Sequence, residues 1–318
     1  MDTSALLARR GDFILSVDLE QMGRDARELR VMCDRGELVR IRRGAYVPTE
    51  SWRAANSLER HLLRIHATES SLPHESTFSH YSAAALHGLP ILGSWPSDVH
   101  VIGARHRGGH GETGLRRHGT MNIPEPVEVG PFRVTSVART VVDLARVCSL
   151  RSAVVTADRA QANALKPHTI HQSTSRNDLM AELNTVPRRS GGAKAELAVN
   201  FSDGYSGSPG ESISRVAFWE LGIPQPELQW RFVDAEGEMF VDFYWKHVNS
   251  IGEFDGRSKY FQPEFNPLLS PNEILWQEKL RQNRLLAFSP RIARWDWDVA
   301  LDPRRLLSRL ASIGVYPV

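Results

Sequence analysis

Three carboxylates stand close together in the last third of the chain. The run Phe240-Val241-Asp242-Phe243-Tyr244-Trp245-Lys246 is soon followed by Ser250-Ile251-Gly252-Glu253-Phe254-Asp255. A tight hairpin turning at His247-Val248 sets Asp242 opposite Glu253 and Phe240 opposite Asp255. Side chains alternate along a strand, so Asp242, Glu253 and Asp255 are expected on one face, within roughly 5–8 Å of one another. The other face, with Val241, Phe243, Trp245 and Phe254, suits a core. Like charges so placed raise a pKa or recruit a cation, and an oxygen-only ligand set suits Mg2+ or Mn2+. A divalent ion held there would polarise a phosphodiester, activate water and steady the leaving oxygen. The alternative is an acidic sheet face with no chemistry. Glu211 precedes this hairpin in Ser208-Pro209-Gly210-Glu211, where the third position of a capping box accounts for a glutamate by itself.

A second concentration of chemistry lies near the N-terminus. Between residues 24 and 43 stand Arg24, Arg27, Arg30, Arg35, Arg40, Arg42 and Arg43, opposed by Asp25, Glu28, Asp34 and Glu37, a local excess of three positive charges. Helical spacing puts Arg24, Arg27 and Arg30 on one face and Leu29, Met32 and Cys33 on the buried side. Guanidinium forks suit phosphate oxygens and guanine edges. Arg40, Arg42 and Arg43 fall where a hairpin tip would meet a DNA backbone or minor groove. The competing reading is a solvated charged helix with pairs such as Arg24–Glu28.

The elements that position these groups form an α/β multidomain chain. Residues 1–52 read as a short helix, a break at Gly23, a second helix ending at Gly36 and a basic hairpin, which is the order of a winged-helix DNA-binding domain. Residues 53–187 read as a middle α/β domain. Its helices are expected at about 54–69, at Ser82-Ala83-Ala84-Ala85-Leu86-His87 and after Thr135 or Ser136, with strands at Val99–Ile102 and Phe132–Val134. Residues 188–204 read as a linker. Residues 205–318 read as helix, three strands, helix, strand, helix, with further helix starts at Ser270-Pro271-Asn272-Glu273 and Asp302-Pro303.

The chain has 318 residues, a net charge of +2 and two cysteines, Cys33 and Cys148. Those far-separated cysteines exclude a disulfide framework and a cysteine zinc site and fit a cytoplasmic protein. No apolar run approaches the roughly 20 residues of a membrane span. Three further features have ordinary structural readings. His80, His87, His100, His106, His110 and His118 lack accompanying ligands at metal spacing and read as structural or exposed. Arg139 and Asp143 read as an i,i+4 ion pair. Trp295 and Trp297 read as packing at a sheet edge.

Asp242, Glu253-Phe254-Asp255-Gly256 and the helix start at Glu211 together resemble the PD-(D/E)XK endonuclease superfamily, in its very-short-patch-repair-like branch. The phrases Gly36-Glu37-Leu38-Val39-Arg40, Arg43-Gly44-Ala45-Tyr46, Ser79-His80-Tyr81-Ser82-Ala83-Ala84 and Thr135-Ser136-Val137-Ala138-Arg139-Thr140 resemble the AbiEi-type antitoxins of type IV toxin–antitoxin systems, in their actinobacterial form. The first resemblance implies a nuclease-like α/β core with Asp242 and Glu253 as metal-binding acids and Glu211 assisting. Asp255 stands where the motif has its lysine, so Lys259 or Lys279 would have to supply that charge. The second implies a head that binds double-stranded DNA as an autorepressor and a nucleotidyltransferase-like toxin as partner. Two functions follow. One is a DNA-binding regulator of antitoxin type carrying a nuclease-like domain, which the displaced lysine favours. The other is a Mg2+-dependent DNA endonuclease.

Overall fold

The computed structural model describes residues 13–23, 25–72, 76–104, 113–120, 122–162, 173–187, 191–256 and 271–318. The chain folds as two units, Met1–Val147 with Thr169–Pro187, and Cys148–His168 with Arg188–Val318. The expected head and middle domain thus share the first unit.

Unit 1 begins with β1 (Ile14–Leu15), α1 (Ser16–Gln21), α2 (Arg27–Asp34), β2 (Leu38–Arg42) and β3 (Ala45–Pro48). Leu19, Leu29, Met32, Leu38 and Tyr46 close over Ile14 as a small core. Helix α2 stops because Gly36 takes φ +74°. Glu37 N then donates to Met32 O and Gly36 N to Cys33 O, both at 2.9 Å, the paired bonds of a Schellman end. The sheet order β1-β3-β2 makes a winged-helix head, with the wing turning at Arg43-Gly44.

The rest of unit 1 contains α3 (Thr49–Ala54), α4 (Ser57–Glu69), β4 (Thr77–Phe78), α5 (His80–Leu86), β5 (Val99–Ala104), β6 (Leu115–Thr120), β7 (Pro126–Val129), β8 (Phe132–Thr135) and α6 (Val137–Val147). The strands form a mixed sheet in the order β6-β5-β4-β8-β7 around Phe78, Val101, Phe132 and Val134. Ser136 accepts from Arg139 N and starts α6. The Arg139–Asp143 pair closes at 2.9 Å and is buried, and Arg139 also reaches Glu182 of a later helix of the same unit.

The chain continues through α7 (Leu150–Ala160), a helix of unit 2, and α8 (Arg176–Thr185), a helix of unit 1. The expected linker at 188–204 instead carries α9 (Gly192–Phe201). Its Gly191-Gly192 start looks like a linker, but Ala195, Ala198 and Val199 recur at helical spacing and are fully buried. Unit 2 then adds α10 (Pro209–Glu220), β9 (Glu227–Asp234), β10 (Gly237–Trp245), β11 (Ser250–Phe254), α11 (Pro271–Phe288), β12 (Arg291–Trp295), α12 (Trp297–Ala300) and α13 (Pro303–Ala311). The expected order of helices and strands is present, with α12 as an extra turn.

Strands β9, β10 and β11 are an antiparallel meander, and α11 carries the chain across to β12, parallel to β11. On one face Phe218 of α10 meets Phe243, Trp245 and Trp295 edge-on. Gly210 is needed there, since a Cβ on it would fall 2.0 Å from the Phe254 ring. On the other face Leu285 of α11 packs with Phe232, Met239, Val241 and Ile251. Beside the sheet, Arg215 of α10 donates to Asp158 of α7 at 2.7 Å and to Phe201 O at 2.8 Å, lying over the Phe201 ring. The other Asp158 oxygen accepts from Asp203 N at 2.7 Å.

Candidate nucleic-acid interface and the acidic hairpin

Helix α2 presents Arg27 and Arg30 to solvent while burying Leu29 and Met32, as its spacing predicts. The Arg27 side chain is 87% exposed and lies 3.9 Å from the Asp25 carboxylate, so its guanidinium stays available to an incoming anion. Val31 is exposed beside them. Arg24 lies outside the described residues. In the wing, Arg43 is exposed at the tip, and Arg40 is exposed with its Nε donating to Arg42 O. Arg42 is placed differently: it is half-buried and donates to Ala67 O at the end of α4, which fits bracing the wing rather than reaching outward.

The hairpin of unit 2 has the expected register, with Phe243 opposite Gly252 and Tyr244 opposite Ile251. Its turn is a helical turn at Lys246–Val248 followed by Asn249 at φ +45°. The expected common acidic face does not form. Met239, Val241 and Tyr244 lie on the α11 side, whereas Phe243 and Trp245 lie on the α10 side. Strict alternation therefore breaks at Asp242, across from Gln229, which is held at φ +47°. A non-glycine residue in that region is strained, and such strain collects where a particular side-chain placement is imposed.

The break turns the Asp242 carboxylate into the ladder. Oδ2 accepts from Phe254 N at 2.8 Å, and Oδ1 accepts from Gln229 Nε2 at 3.3 Å. The same Gln229 nitrogen donates to Glu211 Oε2 at 3.0 Å, so one amide joins the two acids. Glu211 is buried and also accepts from Gly207 N at 2.6 Å, while Ser208 Oγ accepts from Glu211 N. Its carboxylate thus closes the helix start and faces Asp242.

Glu253 goes elsewhere. Its Oε1 accepts from Arg281 at 2.6 Å and its Oε2 from Arg294 at 2.9 Å. Glu278 bridges the same two guanidiniums, completing an alternating square of charges across α11, β11 and β12. Asp255 lies at the strand end, half-buried, with its N donating to Trp295 O at 2.7 Å. Lys279 is exposed on α11, and Lys259 lies outside the described residues. Among the described residues no three His, Cys, Asp or Glu side chains are grouped to hold a metal ion. Both Glu253 oxygens sit on guanidiniums and both Asp242 oxygens on N–H donors, so this arrangement of the expected ligands does not fit a divalent cation. Sequence reasoning missed Gln229, Arg281 and Arg294. The arginines come from elements 28 and 41 residues away from Glu253, beyond any local pattern.

Unit 1 brings together histidines that sequence spacing keeps apart. His80 at the start of α5, His100 on β5 and His118 on β6 stack, with His80 and His118 rings 3.5 Å apart and His118 Nε2 3.0 Å from His100 Nδ1. His80 holds φ +49°. His61 bonds Pro96 O through Nδ1 and Ser82 Oγ through Nε2. A carbonyl only accepts, so Nδ1 carries a proton, and Ser82 Oγ, which already accepts from His100 N, can donate its hydroxyl to Nε2 of a neutral ring. Burial pushes His61, His80, His100 and His118 down to about 4, 2, 3 and 4, with His118 beside His80 and His100 adding to the effect on both. His106 and His110 lie outside the described residues. Arg116 and Arg117 are exposed on β6.

Residues 1–49 match the family model described as "Transcriptional regulator, AbiEi antitoxin". No curated protein matches the chain. Among the described residues no helix is long and apolar enough to cross a membrane.

Proposed function

We propose that the chain is a DNA-binding transcriptional regulator of antitoxin type. The observation that carries this is the exposed Arg27–Arg30 face on α2 of a winged-helix head whose residues match a regulator family. In such heads the second helix enters the major groove and the wing meets the backbone. Arg27 and Arg30 would then contact base edges or phosphates, and Arg40 and Arg43 the flanking backbone, on double-stranded DNA. A nucleotidyltransferase-like toxin is the partner that the resemblance implies.

The test is binding of the full chain to duplex DNA from the region upstream of its own gene. Arg27→Ala with Arg30→Ala should lower affinity by roughly ten- to a hundredfold, and the salt dependence should flatten by about 0.9 for each phosphate no longer neutralised. Equal affinity and salt slope in the two proteins would remove α2 from the interface.

A nuclease is the second reading, favoured by one arrangement: Glu211 and Asp242 converge on Gln229 at the edge of a meander followed by a crossover helix and a parallel strand. Mg2+ or Mn2+ is the cofactor this reading requires, with Asp242, Glu253 and Asp255 as ligands. Glu253 would first have to leave Arg281 and Arg294. Calorimetric titration of either ion, with plasmid cleavage alongside, decides it. We expect neither binding nor cutting by the wild-type chain. Heat of binding and cleavage that both vanish in Asp242→Ala/Glu253→Ala would establish the nuclease instead.

A further inference from the structure

Six of the described arginines in unit 2 are answered by a carboxylate. Arg151 holds Glu220, Arg215 holds Asp158, Arg231 holds Glu238, Arg284 holds Asp234, and Arg281 and Arg294 share Glu253. Helix α13 departs from this habit. It buries Leu306 and Leu310 completely and leaves Arg304, Arg305 and Arg309 exposed. Among the described residues none of these three guanidiniums pairs with a carboxylate. Asp302, the nearest acid in sequence, is engaged as the helix cap, accepting from the backbone N–H groups of Arg304 and Arg305 at 2.9 and 3.1 Å.

These arginines are not scattered. Positions 304, 305, 308, 309 and 312 recur at helical spacing, so they form one stripe. Together with Val299 they line a single open groove of about 450 Å³. Its lining is three guanidiniums, two serine hydroxyls and one valine, with no acid. Ser312 Oγ already donates to Arg309 O at 2.7 Å, so the donors left to the groove are the guanidinium forks and Ser308, which suit a row of phosphate oxygens. A lipid surface would call for apolar side chains to insert beside the charges, but the leucines of α13 face the core.

We propose that the α13 groove binds the sugar–phosphate backbone of double-stranded DNA without reading sequence, as a contact separate from the winged helix. The choice of DNA among polyphosphates rests on the function proposed for the head; the anion site itself does not. Contacts confined to the backbone carry no sequence information, so the groove adds affinity and leaves specificity to α2.

The experiment measures anisotropy of a labelled mixed-sequence duplex with the full chain over a salt series. It compares wild type, Arg304→Ala/Arg305→Ala/Arg309→Ala, the matching triple lysine variant, and Arg27→Ala/Arg30→Ala. The alanine triple should flatten the slope of log affinity against log salt by roughly 3, about 0.9 for each phosphate, and the lysine triple should keep the wild-type slope. All three side chains are exposed, so melting should not change. A wild-type slope in the alanine triple overturns the proposal. So does binding to phosphatidylserine vesicles that the triple abolishes while its duplex slope stays unchanged, which would assign the groove to a membrane. If Arg27→Ala/Arg30→Ala alone is silent while the alanine triple loses slope, the reading of the head fails and the groove stands.

Discussion

Acidification from about pH 7 to about pH 5.5 is expected to destabilise unit 1 by a few kcal/mol (about 4 less the offset from Asp143) and to spare unit 2. Burial is the first cause that pushes His61, His80 and His100 down to about 4, 2 and 3. Below the ordinary histidine value of about 6.5 the unfolded chain takes up protons that the folded unit declines. The stability from these neutral rings is therefore intact above that value and falls as pH drops. One pH unit below it each ring withdraws about 1.4 kcal/mol, roughly 4 kcal/mol for the three, against a typical domain stability of about 5–15. His118 acts in the same direction, more weakly because it is more exposed. Asp143 has the opposite sign. Burial raises it to about 6 despite Arg139, so between about 4 and 6 acidification favours the folded form. One carboxylate does not offset three imidazoles. In unit 2 burial likewise raises Asp158 to about 6, and no depressed histidine opposes it among the described residues. Backbone hydrogen exchange, corrected for intrinsic rates and read peptide by peptide at falling pH, checks this. Equal losses of protection in both units, or undiminished protection of unit 1 at about pH 5, would refute it.

Replacing Arg215 by alanine is expected to cost unit 2 about 3–5 kcal/mol. Asp158 is 1% exposed, and Arg215 is its charged partner. Removal leaves a carboxylate in the interior with only neutral donors, Asp203 N and the Ser212 hydroxyl, to hold it, and also strips the cation from the Phe201 ring. Because burial already raises Asp158, it would climb further without Arg215 and enter the fold protonated. The deficit should therefore shrink as pH falls toward about 5. Urea titrations of Arg215→Ala, Asp158→Asn and the double variant measure the coupling. The double variant should be nearer wild type than Arg215→Ala alone, since an apolar or neutral replacement of both partners leaves no lone charge. A loss under about 1 kcal/mol for Arg215→Ala would mean that the pair is hydrated and not structural.

What the sequence discloses and what it withholds divide along range of interaction. The α2 face is legible because Arg27, Arg30, Leu29 and Met32 obey a helical period, and the Gly36 ending because only a left-handed residue closes that helix. The hairpin register is legible too, since its turn and paired residues are local. The acidic site is not. Its alternation breaks at Asp242 because Gln229, on the neighbouring strand, adopts φ +47°, and nothing in the run Phe240–Lys246 reports that. Arg294 and Arg281 claim Glu253 from distant elements, which only the closed sheet brings near. The histidine stack has the same origin, since His80, His100 and His118 meet only when β5 pairs with β6 and α5 packs on the sheet. Helix α9 reads as a linker because two glycines outweigh the alanine pattern behind them.

Helix α7 belongs to unit 2 although α8, which follows it, belongs to unit 1. During synthesis, then, Asp158 leaves the ribosome long before Arg215 is made. Until α10 emerges, α7 has neither its salt-bridge partner nor the second of the two helices it packs on, and unit 2 cannot close before nearly the whole chain is out. Unit 1, by contrast, needs only the residues up to Pro187. A nascent chain halted there would hold a finished winged-helix head and an unsatisfied amphipathic helix, a natural substrate for chaperones and proteases. A gene fragment beginning at residue 188 would have the reverse defect, with Arg215 buried and no Asp158 to meet it.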